Sequence, residues 1–172
     1  MIRPAQEQDV NAILTIYNEA ILHTTAVYHY KANTLEQQKQ WFDEKMSAGF
    51  PVIVFEGEED GQVYGFATYG SFRPHAAYQY TVEHSVYVHS EYRKKGIGSK
   101  LLVELIQMAK DSGFVTLIAG IDAVNTNSIA VHERLGFTHA GTITKAGFKF
   151  EKWLDLAFYQ LDLPDFHNLS KD

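Results

Sequence analysis

One stretch of the sequence brings glycines, basic residues and a helix start together in a way that suits an anion. Gly96 and Gly98 follow the basic run Arg93-Lys94-Lys95, and Lys100 comes two residues later. A residue without a side chain lets an anion approach the backbone closely. The first amides of a helix also lack a partner within the helix and carry the positive end of its dipole. The stretch therefore predicts a phosphate or pyrophosphate site at a helix N-terminus.

Two familiar phosphate-binding loops do not fit this spacing. A P-loop needs Gly-x-x-x-x-Gly-Lys-Ser/Thr, and the dinucleotide fingerprint needs a third glycine after the Gly-x-Gly pair. The other interpretation is a solvated basic turn that leads into a surface helix. The apolar strand predicted before the loop and the amphipathic helix predicted after it favour the anion site.

A glutamate stands inside the apolar segment 82–88 that leads into this loop. Burial raises the pKa of a carboxyl group and makes it a better proton acceptor near neutral pH, so Glu83 is a candidate general base. The alternative is a solvent-facing glutamate, because strand alternation places Glu83 with Ser85 and Tyr87 and opposite the valines.

Residue types and spacing exclude several other chemistries. The chain has no cysteine, which excludes disulfides, zinc–thiolate sites and cysteine nucleophiles. His132 and Glu133 are not followed by a second histidine at metalloprotease spacing, and no Gly-x-Ser-x-Gly elbow occurs. His84 and His89 are predicted on opposite faces of one strand. No metal site is therefore predicted.

The elements that must position these residues alternate between strand and helix. Hydrophobic periodicity predicts helices over 9–24, 34–48, 97–112 and 128–135, and strands over 1–4, 51–55, 63–72, 80–89, 115–121, 137–144 and 149–161. Asp9 is expected to cap the first helix, and Thr34 with Gln37 to form a capping box at the second. The last two strands are expected to join around Gly147. The strand–helix–strand unit over 80–121 predicts a right-handed parallel crossover, and the whole pattern predicts an α/β protein.

Length and composition bound the remaining classes. The chain has 172 residues, of which 45% are hydrophobic and 21% charged, and its net charge is -6. This size predicts one domain over 1–172, with a polar tail from about residue 164. An acidic chain is a poor candidate for a nucleic-acid binder, and no apolar run reaches the roughly 20 residues of a membrane span. The polar N-terminus has no apolar signal core, so a cytoplasmic protein is expected.

The sequence resembles the GCN5-related N-acetyltransferase (GNAT) superfamily at two blocks. Arg93-Lys94-Lys95-Gly96-Ile97-Gly98 is similar to the family's acetyl-CoA pyrophosphate loop. Segment 125–137 resembles the family's Asn-x-x-Ala/Ser followed by Tyr/His-Glu-x-x-Gly-Phe. Segments 16–18, 72–74, 80–88 and 152–155 make the chain most similar to the phosphinothricin and methionine sulfoximine acetyltransferase group. The resemblance implies the GNAT fold: a mixed, mostly antiparallel, twisted sheet with a parallel strand pair splayed at the acetyl-CoA site and helices on both faces.

The resemblance also implies roles for individual residues. Glu83 is expected to take the proton of the attacking amine. His132 stands where many relatives have a tyrosine that protonates the leaving thiolate, and imidazole suits that role because of its pKa. A structurally hydrogen-bonded helix histidine is the alternative for His132.

A larger set is expected to bind acetyl-CoA. Its members are Val86, Tyr87, Val88, Arg93, Lys94, Lys95, Gly96, Ile97, Gly98, Ser99, Lys100, Asn125, Asn127 and Ser128. By resemblance, the backbone amides of Val86 and Val88 hydrogen-bond the thioester carbonyl and the pantetheine arm. Helix capping is the alternative for the two asparagines and the serine.

The acceptor amine is expected to meet Arg73, whose planar fork suits a carboxylate or phosphinate. The other candidate acceptor residues are Tyr28, Tyr78, Tyr80, Phe148 and Lys149. Core packing is the alternative for the four aromatic residues, and an exposed strand lysine is the alternative for Lys149.

These assignments predict an acetyl-CoA-dependent N-acetyltransferase that acts on the α-amine of a small amino-acid-like acceptor, by direct attack in a ternary complex. The alternatives are acetylation of a protein or polyamine amine, and an acyl-CoA-binding sensor with little turnover. A homodimer is expected by resemblance. The apolar last strand offers a face for it, unless its residues pack on helices of their own chain. Those residues are Phe148, Phe150, Trp153, Leu154, Leu156 and Phe158.

Overall fold

The structure, a computed structural model, describes residues 1–167, in which strands and helices alternate as the sequence predicts. The strands are β1 (Ile2–Pro4), β2 (Val52–Glu56), β3 (Val63–Ser71), β4 (Thr81–Val88), β5 (Thr116–Asp122), β6 (Thr138–Lys149) and β7 (Lys152–Asp162). The helices are α1 (Val10–His23), α2 (Leu35–Ser47), α3 (Ile97–Asp111) and α4 (Thr126–Arg134), with short 3-10 turns at Glu7–Asp9, Ala76–Tyr78 and Ser90–Tyr92.

The strands hydrogen-bond in the order β1-β2-β3-β4-β5-β7-β6. The registered pairs of β4 and β5 run parallel, whereas β1 with β2, β2 with β3, β5 with β7 and β6 with β7 run antiparallel. The predicted mixed, mostly antiparallel sheet is therefore confirmed. The parallel register covers Thr81 to Glu83 against Thr116 to Ile118, although both strands continue beyond it. The predicted splaying of this pair stays a prediction.

The chain divides into two compact units, and β3, β4 and α3 each contribute residues to both. The first comprises residues 1–70 and 85–105, and the second comprises 71–84 and the described chain from 106. The prediction of one domain stays a prediction.

The first unit has a core between its helices and strands. Because the apolar residues of α1 recur every three or four positions, one face of that helix is buried. The core cluster consists of Val10, Ile13, Ile16, Phe42, Val52, Val54 and Phe66. Thr34 forms the predicted capping box with Gln37 at the start of α2. The predicted cap at Asp9 is wrong, because its buried carboxylate instead accepts hydrogen bonds from the Arg3 guanidinium and the Gln6 amide.

The second unit is built on β5 and the β6–β7 hairpin. Leu117 and Ala119 of β5 are almost fully buried, as expected of an apolar interior strand. The predicted join at Gly147 is wrong: β6 continues through it to Lys149, after a register shift between Ile143 and Gly147. The chain instead turns at Phe150 and Glu151, whose φ angles of 52° and 59° suit a two-residue hairpin turn.

Three further predictions concern the start of α4, membrane-spanning helices and the polar tail. Helix α4 begins at Thr126, two residues before the predicted start. None of the helices in residues 1–167 is long and apolar enough to cross a membrane. Of the polar tail predicted from residue 164, residues 168–172 lie outside the described part of the chain.

Candidate active site

The anion loop of the first unit has the geometry of an open helix N-terminus. The Lys100 amide donates to the Gly96 carbonyl at 3.1 Å, so Gly96 caps α3 and the amides of Ile97, Gly98 and Ser99 belong to its first turn. Gly96 has φ +76°, which glycine adopts without strain, and a Cβ built there meets no atom within 4 Å. The space beside Gly96, at the start of α3, is therefore open.

Lys94 also holds a left-handed conformation, with φ 61°. A non-glycine residue there carries backbone strain, which clusters at ligand-binding segments. The loop conformation thus agrees with the predicted pyrophosphate site.

The loop is tied to its own unit by a glutamate and an arginine. The Arg93 Nε donates to the Val88 carbonyl at 3.0 Å, and the Ser90 amide donates to the Glu19 carboxylate at 3.0 Å. The Glu19 carboxylate also lies 3.5 Å from Arg93 Nη2. Partial burial alone would raise the pKa of Glu19, but the Ser90 hydrogen bonds and nearby positive charge lower it overall. Glu19 therefore stays ionised and holds the loop.

A stack of three aromatic rings packs beside the same loop. The rings of Tyr64 and Tyr92 stack at 3.6 Å between centroids, and Phe55 stacks on Tyr64 at 6.3 Å. The Lys95 ammonium lies 5.1 Å from the Tyr92 ring and the Lys100 ammonium 5.8 Å from the Phe55 ring. The aromatic stack thus positions two cations beside the helix start.

The end of β4 packs against this helix start. A Cβ built at Gly98 would lie 3.6 Å from Val88 Cγ2 and 4.0 Å from Val86 Cγ1. The Tyr87 side chain instead contacts Tyr17 and Phe66, with ring centroids at 5.5 and 5.2 Å. The structure therefore brings the ends of the predicted segments 86–88 and 93–100 together, whereas the Tyr87 ring packs on Tyr17 and Phe66.

The candidate base lies in the second unit. The Glu83 side chain is half-buried, and its Oε1 lies 3.4 Å from the position that a Cβ on Gly120 would occupy. Burial raises the pKa of Glu83, and the positive charge of Arg73 partly offsets that rise. The solvent-facing alternative is therefore wrong, and the environment suits a general base.

Arg73 is held beside this carboxyl by an aromatic platform. Its guanidinium carbon lies 4.9 Å from the Phe72 ring centroid. The Phe72 ring meets Tyr78 edge-on at 5.9 Å and Phe158 edge-on at 6.5 Å. An exposed guanidinium on a fixed ring can receive a carboxylate in bidentate geometry.

The remaining acceptor candidates differ in exposure. Tyr28, Tyr78, Tyr80 and Phe148 are exposed, so the core-packing alternative is wrong for all four. Tyr28 belongs to the first unit. In the hairpin, Phe148 contacts the Trp153 ring at 4.9 Å. Lys149 is buried, which corrects the alternative of an exposed lysine, and its ammonium lies 5.1 Å from the Phe150 ring.

The candidate acid His132 forms a buried pair with His84. Their Nε2 atoms are 3.2 Å apart and their rings are nearly parallel, with centroids at 5.2 Å. Both rings pack edge-on against Phe137. Burial lowers the pKa of both histidines; that of His84, which His132 also lowers, falls to about 3. Both rings are therefore neutral near neutral pH.

The hydrogen bonds fix the tautomers of this pair. The His132 Nδ1 lies 2.7 Å from the Ser128 carbonyl oxygen, which only accepts, so Nδ1 carries the proton of His132. His84 must then donate from Nε2 to the His132 Nε2 lone pair, which leaves the buried His84 Nδ1 with no hydrogen-bond partner in the described chain. These contacts favour the structural alternative for His132.

The N-terminus of α4 shows the expected capping. The Asn125 side chain accepts from the Ser128 amide at 3.1 Å, which is the capping alternative named for these residues. Asn127 is exposed on the first turn. Residues 1–167 contain no group of three or more potential metal ligands.

The sequence interpretation missed Glu19 and Tyr64, which support the loop in the first unit. In the second unit it missed three residues near Glu83 and Arg73, namely Phe72, Gly120 and Phe158. Gly120 had a recognisable signal, because a glycine inside an apolar strand often marks a close approach of ligand or backbone. Glu19 had none, since its partners lie more than seventy residues away in sequence.

The family comparison agrees with this geometry. Residues 2–158 match the family described as "Acetyltransferase (GNAT) domain". The chain is 42% identical to the L-methionine sulfoximine/L-methionine sulfone acetyltransferase of Salmonella typhimurium, over 95% of each protein. It is 35% identical to the phosphinothricin N-acetyltransferase of Streptomyces viridochromogenes, over 94% of this chain and 86% of that protein. The chain belongs to the GNAT acetyltransferase family.

Solved structures show the same fold. An N-acetyltransferase from Staphylococcus aureus Mu50 is 57% identical, with a TM-score of 0.92 over 95% of this chain and 98% of that one. The Salmonella typhimurium acetyltransferase yncA, solved with its cofactor acetyl-CoA, is 40% identical, with a TM-score of 0.91 over 100% of this chain and 98% of that one. The predicted fold class is confirmed.

Proposed function

We propose that this protein transfers the acetyl group of acetyl-CoA to the α-amine of a small amino-acid-like acceptor such as methionine sulfoximine, methionine sulfone or phosphinothricin. The observation that carries the acceptor class is a half-buried Glu83 within electrostatic reach of the exposed guanidinium of Arg73 on its Phe72 platform. A base for an ammonium and a fork for a carboxylate match the two charged groups of an α-amino acid. The activities named for the relatives at 42% and 35% identity support the same class.

Glu83 supplies the proton acceptor of the reaction. Its carboxylate takes one proton from the acceptor ammonium and so frees the nitrogen lone pair that attacks the thioester carbon. The attack forms the C–N bond and pushes charge onto the carbonyl oxygen, which a backbone amide of Val86 or Val88 stabilises. Collapse breaks the C–S bond, and the second nitrogen proton neutralises the departing thiolate. The products are the acetamide, free coenzyme A and one proton released from Glu83.

The source of the proton that neutralises the thiolate determines whether His132 must act as an acid. As a neutral ring, His132 carries its proton on Nδ1 against the Ser128 carbonyl, and its Nε2 accepts from His84. Proton donation by His132 remains a prediction, and it requires one of these two hydrogen bonds to exchange. The reaction balances without it, because the attacking nitrogen supplies the proton.

The first turn of α3 is the proposed pyrophosphate site. The space beside Gly96 is open, and Lys94, Lys95 and Lys100 are exposed around it. A helix N-terminus with a flanking cationic loop stabilises a diphosphate through amide hydrogen bonds and charge. Asn125, Asn127 and Ser128, at the start of α4, remain proposed contacts of the pantetheine arm.

Thiol release from acetyl-CoA, measured across a panel of amines, tests this proposal. The panel is methionine sulfone, methionine sulfoximine, phosphinothricin, methionine sulfone amide, spermidine and a lysine peptide. We expect turnover of the carboxylate-bearing or phosphinate-bearing amines, slower turnover of the amide, none of spermidine or the peptide, and at least a 100-fold loss of kcat in Glu83→Gln. Glu104→Gln, on the exposed face of α3, is the matched control and should behave as wild type. Turnover of spermidine or the peptide with none of the amino acids would refute the acceptor class.

We also infer a homodimer that acts in the cytoplasm, where acetyl-CoA is available. Ile143, Phe148, Phe150 and Trp153 of the β6–β7 hairpin are 53%, 45%, 50% and 62% exposed, an apolar patch that a second copy would cover. Light scattering should give twice the mass of one chain. Trp153→Glu should shift the protein towards monomer, whereas Glu151→Gln at the neighbouring turn should not. A wild-type monomer at micromolar concentration would contradict the dimer.

A further inference from the structure

Gly120 occupies an unusual place on β5 beside the candidate base. A Cβ built on it would lie 3.4 Å from Glu83 Oε1, 3.4 Å from Leu156 Cδ1 and 3.8 Å from Phe158 Cε1. Gly120 is itself exposed, although its strand neighbours Ala119 and Ile121 are buried. The open face of β5 at this position is therefore bordered by one carboxylate and two apolar side chains.

The backbone does not require glycine at this position. Gly120 is not among the glycines with a positive φ, and it pairs in regular antiparallel register with Phe158. Glycine in a strand interior costs roughly 0.5–1 kcal/mol relative to alanine because it adds chain entropy to the unfolded state. A strand position that accepts this cost without a turn or bulge is a site where another group approaches the backbone closely.

The surroundings indicate which group approaches. Phe158, beside Gly120, meets the Phe72 ring edge-on at 6.5 Å, and Phe72 supports the Arg73 guanidinium at 4.9 Å. An apolar floor thus extends from the carboxyl of Glu83 towards a fixed cation, all within the second unit. An α-amino acid whose amine meets Glu83 and whose carboxylate meets Arg73 would lay its carbon chain on this floor.

We propose that Gly120 determines which acceptors the enzyme takes, because its missing side chain leaves room beside Glu83 for an acceptor with a long side chain. This inference rests on the proposed function and adds the feature that sets acceptor size. Gly120→Ala places a methyl group in ordinary van der Waals contact with the carboxylate, so the fold tolerates it. Gly120→Val extends two methyl groups into the space assigned to the acceptor.

Steady-state kinetics with a long and a short acceptor test the inference. For Gly120→Val we expect KM for methionine sulfone to rise at least tenfold more than KM for alanine, with KM for acetyl-CoA within twofold of wild type. Gly120→Ala should give a smaller change in the same direction. Equal changes for both acceptors, or no change, would overturn the inference.

The alanine variant supplies a second readout that a loss of folding would not mimic. Its added methyl removes water from the Glu83 carboxylate, so the acid limb of kcat/KM should move to higher pH. An unmoved limb, together with unchanged acceptor preference, would overturn the inference even if the valine variant fails to fold. Wild-type enzyme that acetylates neither amino acid would instead refute the proposed function, and this inference with it.

Discussion

Acidification should destabilise this protein through its buried histidine pair, and the effect can be worked out from His84. The pKa of the fully buried His84 is about 3 in the folded protein, against 6.5 for an ordinary histidine. Between these values the unfolded chain binds a proton that the folded protein does not, so stability is complete above pH 6.5 and falls as the pH falls towards 3. Between pH 8 and pH 5 the loss from His84 is about 2 kcal/mol.

His84→Gln isolates this contribution. The glutamine Nε2 can still donate to the His132 Nε2, but the side chain no longer titrates. Stability is measured by urea unfolding at pH 8 and pH 5, followed by the fluorescence of the two tryptophans. We expect the wild type to lose about 2 kcal/mol more than the variant between the two pH values, or roughly 6 °C in Tm for a chain of this size.

The comparison of two pH values separates titration from packing. Any packing cost of the substitution appears at both pH values and cancels in the difference. The buried carboxylate of Asp9, whose pKa is lowered overall by Arg3 and Gln6 despite its burial, is present in both proteins. Parallel pH dependence of wild type and His84→Gln would refute the argument that the pair is buried and neutral.

Three further predictions concern the cofactor loop, the acceptor clamp and a helix cap. Gly96→Ala should raise KM for acetyl-CoA several-fold, because a left-handed φ strains alanine by roughly 1–2 kcal/mol at the pyrophosphate site. Gly113→Ala has a similar φ of +83° at the other end of α3 and should lower Tm without changing that KM. Arg73→Gln should raise KM for methionine sulfone at least tenfold and leave KM for its uncharged amide unchanged. Thr34→Ala should lower the free energy of unfolding by about 1 kcal/mol, measured in urea, with kcat unchanged.

Each of these predictions has an opposing result. An equal rise in KM for acetyl-CoA in Gly96→Ala and Gly113→Ala would mean that general strain, not the loop, is responsible. If Arg73→Gln changed KM equally for methionine sulfone and for its amide, Arg73 would not be the residue that binds the acceptor carboxylate. A large loss of kcat in Thr34→Ala would contradict the prediction that the α2 cap contributes to stability alone.

Local signals in the sequence predicted most of the fold. Thr34 and Gln37 specify their helix start through contacts three residues apart. The β6–β7 turn was misplaced because its left-handed positions carry Phe150 and Glu151, neither of which is a typical turn residue. Gly147 looked like the turn but lies after a register shift within the strand.

The site was predictable where its chemistry lies in one contiguous segment. The loop over 93–100 and Glu83 are both proposed from residue type and spacing, and their roles stay predictions. The His84–His132 pair was not predicted, because the two residues are 48 positions apart and nothing local indicates that they meet. The support of Arg73 by Phe72 and Phe158 also depends on packing across the sheet, which periodicity does not specify.

The pH dependence of kcat/KM for methionine sulfone, in wild type and Glu83→Gln at saturating acetyl-CoA, tests the central claim most directly. If Glu83 is the base, the wild type should show a plateau between the raised pKa of Glu83 and the pKa of the acceptor amine. Glu83→Gln has no carboxylate to deprotonate the acceptor, so it reacts only with acceptor that is already a free amine. Its kcat/KM should therefore climb tenfold per pH unit up to the amine pKa. Two profiles that climb in parallel would contradict the assignment of Glu83 as the base of this acetyltransferase.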